Sequence, residues 1–346
     1  MFIKLHILSL FLLGGLGTVV MAAGQTDWIS GADISMLPTI EKTGAVFRDR
    51  GQVGDAIKIL RAHGCNLFRV RLFVNPDTNY QSSGGAVQDL GYVRALAQRI
   101  KASGAKFLLD LHYSDTWADP GKQYTPREWK DLDFEAMQKQ VAEYTTSVLT
   151  DLRNAHAEPD MVQVGNEITS GMLWPTGQVW PVKEGQSEIQ WDHFAALFNA
   201  GAGAVKKFDG DIRVILHIDG GGKPGRTKWF LSRVEKHPFH YDVLALSFYP
   251  AWDDSIDALK QNLADAISMT GKDVLIAETS YPWHALPDIK GGTETMRWPT
   301  TAAGQKQFLH DLISLLQSQP GKHGIGFVYW YPEAIPVHGM HMWRQG

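Results

Sequence analysis

The sequence predicts an α/β fold, a single (β/α)8 TIM barrel with its eighth helix absent or vestigial. Three observations lead there. Eight short apolar or β-branched runs of strand character recur between Trp28 and Trp330. Helix-like stretches separate them, in the alternation that builds a parallel sheet. The chain has 346 residues, which suits one such barrel, although an average domain size of roughly 150 would suggest two domains.

The strand candidates, in order, are Trp28–Ile34, Asn66–Phe73, Lys106–His112, Met161–Glu167, Arg213–Ile218, Val243–Tyr249, Val274–Glu278 and Gly326–Trp330. The helical candidates between them are Val53–His63, Tyr92–Ser103, Phe134–Asn154, His193–Phe208, Lys228–Glu235, Ile256–Thr270 and Gly304–Gln317. Gly64 and Gly104 stand where a left-handed cap would end a helix. The long irregular stretches Pro76–Gly91, Gly171–Trp191 and Pro282–Ala303 each follow a strand. In a barrel they therefore lie on the C-terminal face, where active sites are built.

The N-terminus reads as a targeting segment over residues 1–23. Lys4 precedes an apolar run from Leu5 to Val20, and the small residues Ala22, Ala23 and Gly24 follow. That pattern predicts a signal peptide cleaved after Ala22 or Ala23, and an exported protein, extracellular or periplasmic. The rest, residues 24–346, is expected to form one barrel with no further membrane segment. Hydrophobic residues at 44% and charged residues at 20% exclude a disordered or fibrous chain. A net charge of −4 offers no basic field for nucleic acid. The single Cys65 excludes an intramolecular disulfide and a cysteine-based zinc cluster; it reads as a small buried filler. Nothing demands a partner chain, so a monomer is expected. The 12 Trp residues supply flat surfaces of the kind that sugar rings stack on.

Two carboxylates stand out. Glu167 closes the run Val162-Gln163-Val164-Gly165-Asn166, and Glu278 closes Val274-Leu275-Ile276-Ala277. A charge at the end of a buried run costs several kcal/mol unless it is paired or protonated. Barrel-rim ion pairs could explain either one alone. Two of them, ending the fourth and seventh strands, match what glycoside hydrolysis needs: one acid to protonate the leaving oxygen, one carboxylate to attack the anomeric carbon. Asn166 beside Glu167 adds an amide suited to a sugar 2-hydroxyl. Other readings stay open on these residues. Asp110-Leu111-His112 and His217-Ile218-Asp219 could ligate a metal, although the strand-one His-x-His of such barrels is replaced by Gly31-Ala32-Asp33. A non-catalytic glycan-binding barrel would keep the aromatic residues but has no need of both glutamates. A mannanase, xylanase or glucanase would share the same catalytic pair.

The chain resembles glycoside hydrolase family 53, the arabinogalactan endo-β-1,4-galactanases. The resemblance is carried by Gly31-Ala32-Asp33-Ile34-Ser35, Asn66-Leu67-Phe68-Arg69-Val70-Arg71-Leu72, and most specifically by His112-Tyr113-Ser114-Asp115-Thr116-Trp117-Ala118-Asp119-Pro120-Gly121. It continues in Val162 to Ile168, Gly171-Met172-Leu173-Trp174-Pro175 and Ala277-Glu278-Thr279-Ser280-Tyr281. It implies a retaining endo-hydrolase of β-1,4-galactan, a polysaccharide side chain of pectin, working without a cofactor or metal. Glu167 then matches the acid/base and Glu278 the nucleophile, with carboxyls about 5–5.5 Å apart in a retaining enzyme. Arg71 matches the arginine that keeps the nucleophile ionised, Tyr249 the hydroxyl that hydrogen-bonds it, and Trp330 the platform under the reacting sugar. Trp117 and Trp174, on loops, are assigned to sugar stacking. His112, Asp119, Asn166 and Asp219 complete the substrate-contacting set.

The sequence also departs from the family. After strand eight the family usually reads Tyr-Trp-Glu-Pro-Ala-Trp; this chain reads Tyr329-Trp330-Tyr331-Pro332-Glu333-Ala334-Ile335. A glutamate is lost, one appears two positions later, and a tryptophan is missing, which bears on sugar contacts rather than on the chemistry. Some members bind calcium in the loop after strand seven. Here Trp283–Thr300 holds only Asp288 and Glu294 as acids, so no such calcium is expected. The chain stops near Trp343, short of the family's usual C-terminal segment, as a short variant or a truncated chain would.

Overall fold

The computed structural model describes residues 28–182, 187–253, 255–284, 297–335 and 337. Eight parallel strands close into a barrel: β1 (Ile29–Asp33), β2 (Leu67–Leu72), β3 (Lys106–Leu111), β4 (Met161–Val164), β5 (Arg213–Ile218), β6 (Val243–Ser247), β7 (Asp273–Thr279) and β8 (Gly324–Trp330). They run around the ring in sequence order, and β8 returns to β1, pairing Ile29 with Gly326 through to Asp33 with Trp330. The outer helices are α1 (Ala56–Ala62), α2 (Leu90–Ala102), α3 (Phe134–Asn154), α4 (Ser187–Phe208), α5 (Pro224–Lys236), α6 (Ile256–Thr270) and α7 (Ala302–Gln317). The expected signal peptide, most of the loop after β7 and the residues beyond 337 lie outside the described residues. The expectation about an eighth helix falls largely there too; residues 331–335 and 337 form none.

Helix starts follow their caps more closely than their apolar periodicity. The side chains of Asp55, Asp89, Asp133, Ser255 and Thr301 accept backbone N–H bonds at the starts of α1, α2, α3, α6 and α7, which satisfies donors a helix cannot pair internally. α5 opens on Pro224, whose missing N–H costs nothing in the first turn. So α1 starts three residues later than its pattern suggests, because Gln52–Gly54 pairs with Phe47–Asp49 in a small hairpin. α5 starts earlier than expected, at Pro224, and α4 begins at Ser187 rather than His193.

The barrel interior is layered. Strand residues two apart face the same side, so β2 sends Leu67, Arg69 and Arg71 inward in successive layers. The bottom layers are apolar: Ile29, Leu67, Leu108, Met161, Ile215, Val243, Ala245 and Leu275 pack together inside the ring. One step up, Arg69, Asp110, Gln163 and His217 replace them, all buried. A larger apolar core fills the space between strands and helices. The apolar floor keeps water from the polar layer, and so makes the charges above it interact strongly.

Closure depends on Gly326. Its φ of +146° lies where only glycine is at ease, and a Cβ there would stand 2.1 Å from the Ile29 carbonyl oxygen. Gly326→Ala is expected to destabilise the fold by about 3 kcal/mol or more, from backbone strain plus overpacking; chemical denaturation of the two proteins measures this.

Candidate active site

β4 ends at Val164, and the chain turns sharply out of the sheet. Gly165 has φ +81° and Glu167 has φ +47°. The left-handed conformation of a glutamate is costly and, like most such strain, sits at a site rather than in the scaffold. It replaces the longer strand expected through Glu167. Across the barrel, the β6–β7 register shifts between Leu246 and Ser247, so that Ser247 stands beside Glu278. Beyond the end of β6, the Tyr249 hydroxyl donates to Glu278 Oε2 at 2.8 Å. Glu167 and Glu278 line one cleft of about 720 Å³, together with Arg69, Arg71, His112, Trp117, Asp119, Asn166, Tyr249, Trp252, Trp330 and Tyr331.

The arginine on Glu278 is Arg69, not Arg71. Arg69 Nη1 lies 2.9 Å from Glu278 Oε1 and 3.0 Å from Asp33 Oδ2. Its Nη2 lies 2.8 Å from Asp110 Oδ2 and donates to Asn166 Oδ1 at 2.8 Å. Arg71 sits one layer nearer the mouth, its guanidinium carbon 4.3 Å from the centre of the Trp117 ring. The expectation failed because both arginines share a face of β2, and only depth separates them. The conformation of Arg69 is thus held by three carboxylates and an amide, and each of its contacts is a charge-assisted bond in a dry site.

Burial pushes the Glu167 carboxyl well above the usual carboxylate range; the nearby Glu278 adds to this, and a hydrogen bond with Ser247 offsets part of it. Glu278 is also raised by burial, but Arg69 and the Tyr249 hydroxyl oppose the rise. Of the two, Glu167 is the one that holds a proton. Asp110 would be raised by burial, yet Arg69 and then His112 hold it below its ordinary value. Burial, reinforced by Arg69, keeps His217 neutral. His217 Nδ1 lies 3.1 Å from Asn166 Oδ1 and 3.3 Å from the Glu167 amide, and its Nε2 lies 3.0 Å from Ser247 Oγ. This neutral histidine therefore braces the strained turn and the hydroxyl against Glu167.

Comparison with known proteins agrees with this geometry. The model of glycosyl hydrolase family 53 matches residues 29–346. The chain belongs to this family. It is therefore a glycoside hydrolase. Individual proteins are similar as well. An uncharacterised protein of Niallia circulans is 39% identical, over 90% of this chain and 85% of that one. The endo-beta-1,4-galactanase of Bacillus subtilis is 34% identical, over 90% of this chain and 71% of that one. The family 53 catalytic domain of Ignisphaera aggregans superposes with a TM-score of 0.81 at 32% identity, over 91% of this chain and 87% of that one.

The other predicted residues of this family 53 site divide into two groups. Tyr249, Trp330, Trp117, Asp119 and Asn166 line the cleft. Asn166 spends its oxygen on Arg69 and one N–H on Ala118 O at 2.9 Å. His112 lines it too, but its ring nitrogens are engaged: Nδ1 accepts from the Ala118 amide (3.1 Å) and Nε2–H faces Asp110 (3.1 Å). Trp174 and Asp219 are not among the cleft residues. The Trp174 indole donates to Ser170 O at 3.1 Å, fixing its own loop. Asp219 accepts from Thr169 Oγ1 and pairs with Arg226 at 3.1 Å, behind the Glu167 turn. Sequence reasoning missed Arg69, Asp33, Ser247 and Trp252 as parts of the site, and weighed Asp110 only as a metal ligand. Inward spacing from Leu67 and Leu108 marks Arg69 and Asp110 as interior charges; nothing local marks the register shift that brings Ser247 into place. Cys65 is buried, its thiol pushed up to about 12, as befits a filler.

Removing Arg69 unpairs a buried carboxylate cluster. Arg69→Met is expected to cost about 3–5 kcal/mol of stability. It also removes the main force lowering the Glu278 carboxyl, so the acid limb of the kcat/KM–pH profile should move to higher pH. Denaturant unfolding and a pH–rate profile check the two effects. Glu167 gives the opposite stability sign. Its folded value is raised, so its burial costs nothing below the unfolded value near 4.3 and costs progressively more as pH rises. Glu167→Gln should therefore melt higher than the parent at pH 7, and the gap should close near pH 4.

Proposed function

We propose that this chain is a retaining endo-hydrolase of β-1,4-galactosidic linkages in the galactan side chains of pectin. The observation that carries the chemistry is the unequal pair: Glu278 held by Arg69 and Tyr249, and Glu167 held protonated by burial and by Glu278. The substrate reading rests on family 53 membership and on the galactanase of Bacillus subtilis at 34% identity.

In this reading Glu167 gives its proton to the glycosidic oxygen while Glu278 attacks the anomeric carbon. The C–O bond to the leaving chain breaks and a galactosyl ester of Glu278 forms. Glu167, now ionised, takes a proton from water, whose oxygen displaces Glu278 and releases a sugar with retained β configuration. The two environments keep the proton affinities apart at each stage. Tyr249 holds one oxygen of Glu278 while the other stays on Arg69, which directs the nucleophile's lone pairs. Trp330, edge-on to Tyr249 at 6.2 Å, offers its face to the reacting sugar. The same reading includes export under the signal peptide, and action as a monomer.

Unbranched β-1,4-galactan with the purified chain should release short oligosaccharides, followed as reducing ends, and Glu278→Gln should abolish release. The first product should carry the β configuration by proton NMR; an α product would overturn retention. Glu167→Ala should lower kcat/KM by about 10²–10⁴-fold on galactan and by much less on substrates with a good aryl leaving group. Equal losses on both would contradict its role as the acid.

A further inference from the structure

On the cleft flank formed by β8, β1 and β2, Arg71 carries a guanidinium that no described protein group satisfies. The residue is 1% exposed, and Nε, Nη1 and Nη2 have no hydrogen-bond partner. Its closest carboxylate oxygen, Asp33 Oδ1, is 3.6 Å away and already accepts from Ser35 N (3.0 Å) and Ser35 Oγ (2.6 Å). Glu333 is buried on the same side, but its Oε1 accepts from the Met36 amide at 3.0 Å and its Oε2 meets no donor. Trp117 lies against the guanidinium at 4.3 Å, whereas Tyr331 stands off at 6.0 Å. Arg71 nevertheless forms part of the wall of the cleft that holds Glu167 and Glu278.

A buried arginine offers five N–H donors, and leaving them unmet is expensive. The acceptor they call for comes from the cleft. Its charge is constrained: Asp33 lies beside Arg71, and Asp110 and Glu278 join Asp33 on the neighbouring Arg69, so an anion would meet repulsion that a neutral hydroxyl does not. Its position is constrained as well. At about 3.3 Å per residue, Arg71 leaves β2 roughly 6.6 Å further toward the mouth than Arg69, which touches the nucleophile. Arg71 therefore sits one layer nearer the mouth than the arginine that holds Glu278.

We infer that Arg71 donates hydrogen bonds to hydroxyl oxygens of a neutral glycosyl unit adjoining the reacting one, on the β8–β1–β2 flank. The oxygen enters on the looser Tyr331 side, and Trp117 backs the guanidinium from the other. This rests on the galactan reading above and adds to it the residue that recognises the neighbouring unit. Arg71 is then a specificity-determining contact, separate from Arg69, whose work is on the nucleophile.

The test uses the full chain with Arg71→Met and Arg71→Lys, and β-1,4-galacto-oligosaccharides of two to six units beside the polysaccharide. The ratio of wild-type to variant kcat/KM should jump at one chain length, by about 10- to 100-fold for Arg71→Met, and stay flat beyond it. Arg71→Lys should show the same jump, reduced. An equal loss at every length would mean that Arg71 only props Trp117, and no loss would mean that it meets no substrate; either overturns the inference. Should Arg71→Met fail to fold, the length dependence of Arg71→Lys decides alone. A wild-type enzyme inactive on galactan would instead strike the functional reading. In that event, calorimetric titration of the other β-linked oligosaccharide series into wild type and Arg71→Lys still decides whether Arg71 contacts a sugar.

Discussion

The buried guanidinium of Arg69 is the interaction on which the site depends. It joins Asp33 of β1, Asp110 of β3, Glu278 of β7 and Asn166 after β4. Four separate parts of the ring are thereby tied to one planar cation. A lysine could not replace it, because a point charge lacks the fixed fork that meets several acceptors at once. Burying so many charges is not a gain in stability by itself. The return is geometric: the Glu278 carboxyl cannot rotate away without breaking bonds made in a medium where they are strong.

The layering of the barrel explains why such a cluster can exist. The apolar plug below Arg69 excludes water from one side, and the cleft admits substrate from the other. The same dryness that makes Glu167 a proton holder would raise an unpaired Glu278 as well. Arg69 and Tyr249 resolve this for one glutamate and leave the other as burial made it. His217, neutral beside the Glu167 amide and Ser247, supports the Glu167 turn without adding a charge that would compete with the proton on that carboxyl.

Much of this was legible in the residues. Glu167 and Glu278 announced themselves as acids ending apolar runs, and the strand–helix alternation gave the barrel. Element ends were less legible. Gly165 and Glu167 leave the sheet early through positive φ, and a local hairpin that pairs Val53 with Arg48 delays α1; apolar periodicity reports neither backbone strain nor turn pairing. Arg69 and Arg71 could not be told apart, since a period of two places them on one face and depth in the barrel has no local signature. Trp174 illustrates a further limit. A loop tryptophan is a fair candidate for sugar stacking, but its indole N–H found Ser170 O, and it became part of the loop's own scaffold.

Closure of β8 on β1 has a consequence for how the protein is made. Met36 N and Glu333 are bonded across a separation of 297 residues, next to the strand pair that seals the ring. Contacts this distant in sequence form late, because the chain between them must first be ordered. Asp33 comes from the first strand and Glu278 from the seventh, so the charge cluster on Arg69 needs nearly the whole chain at once. A nascent or partly threaded chain can hold helices and strand pairs, yet it cannot hold Glu278 on Arg69. The charge cluster is thus a property of the assembled ring, not of any one βα unit.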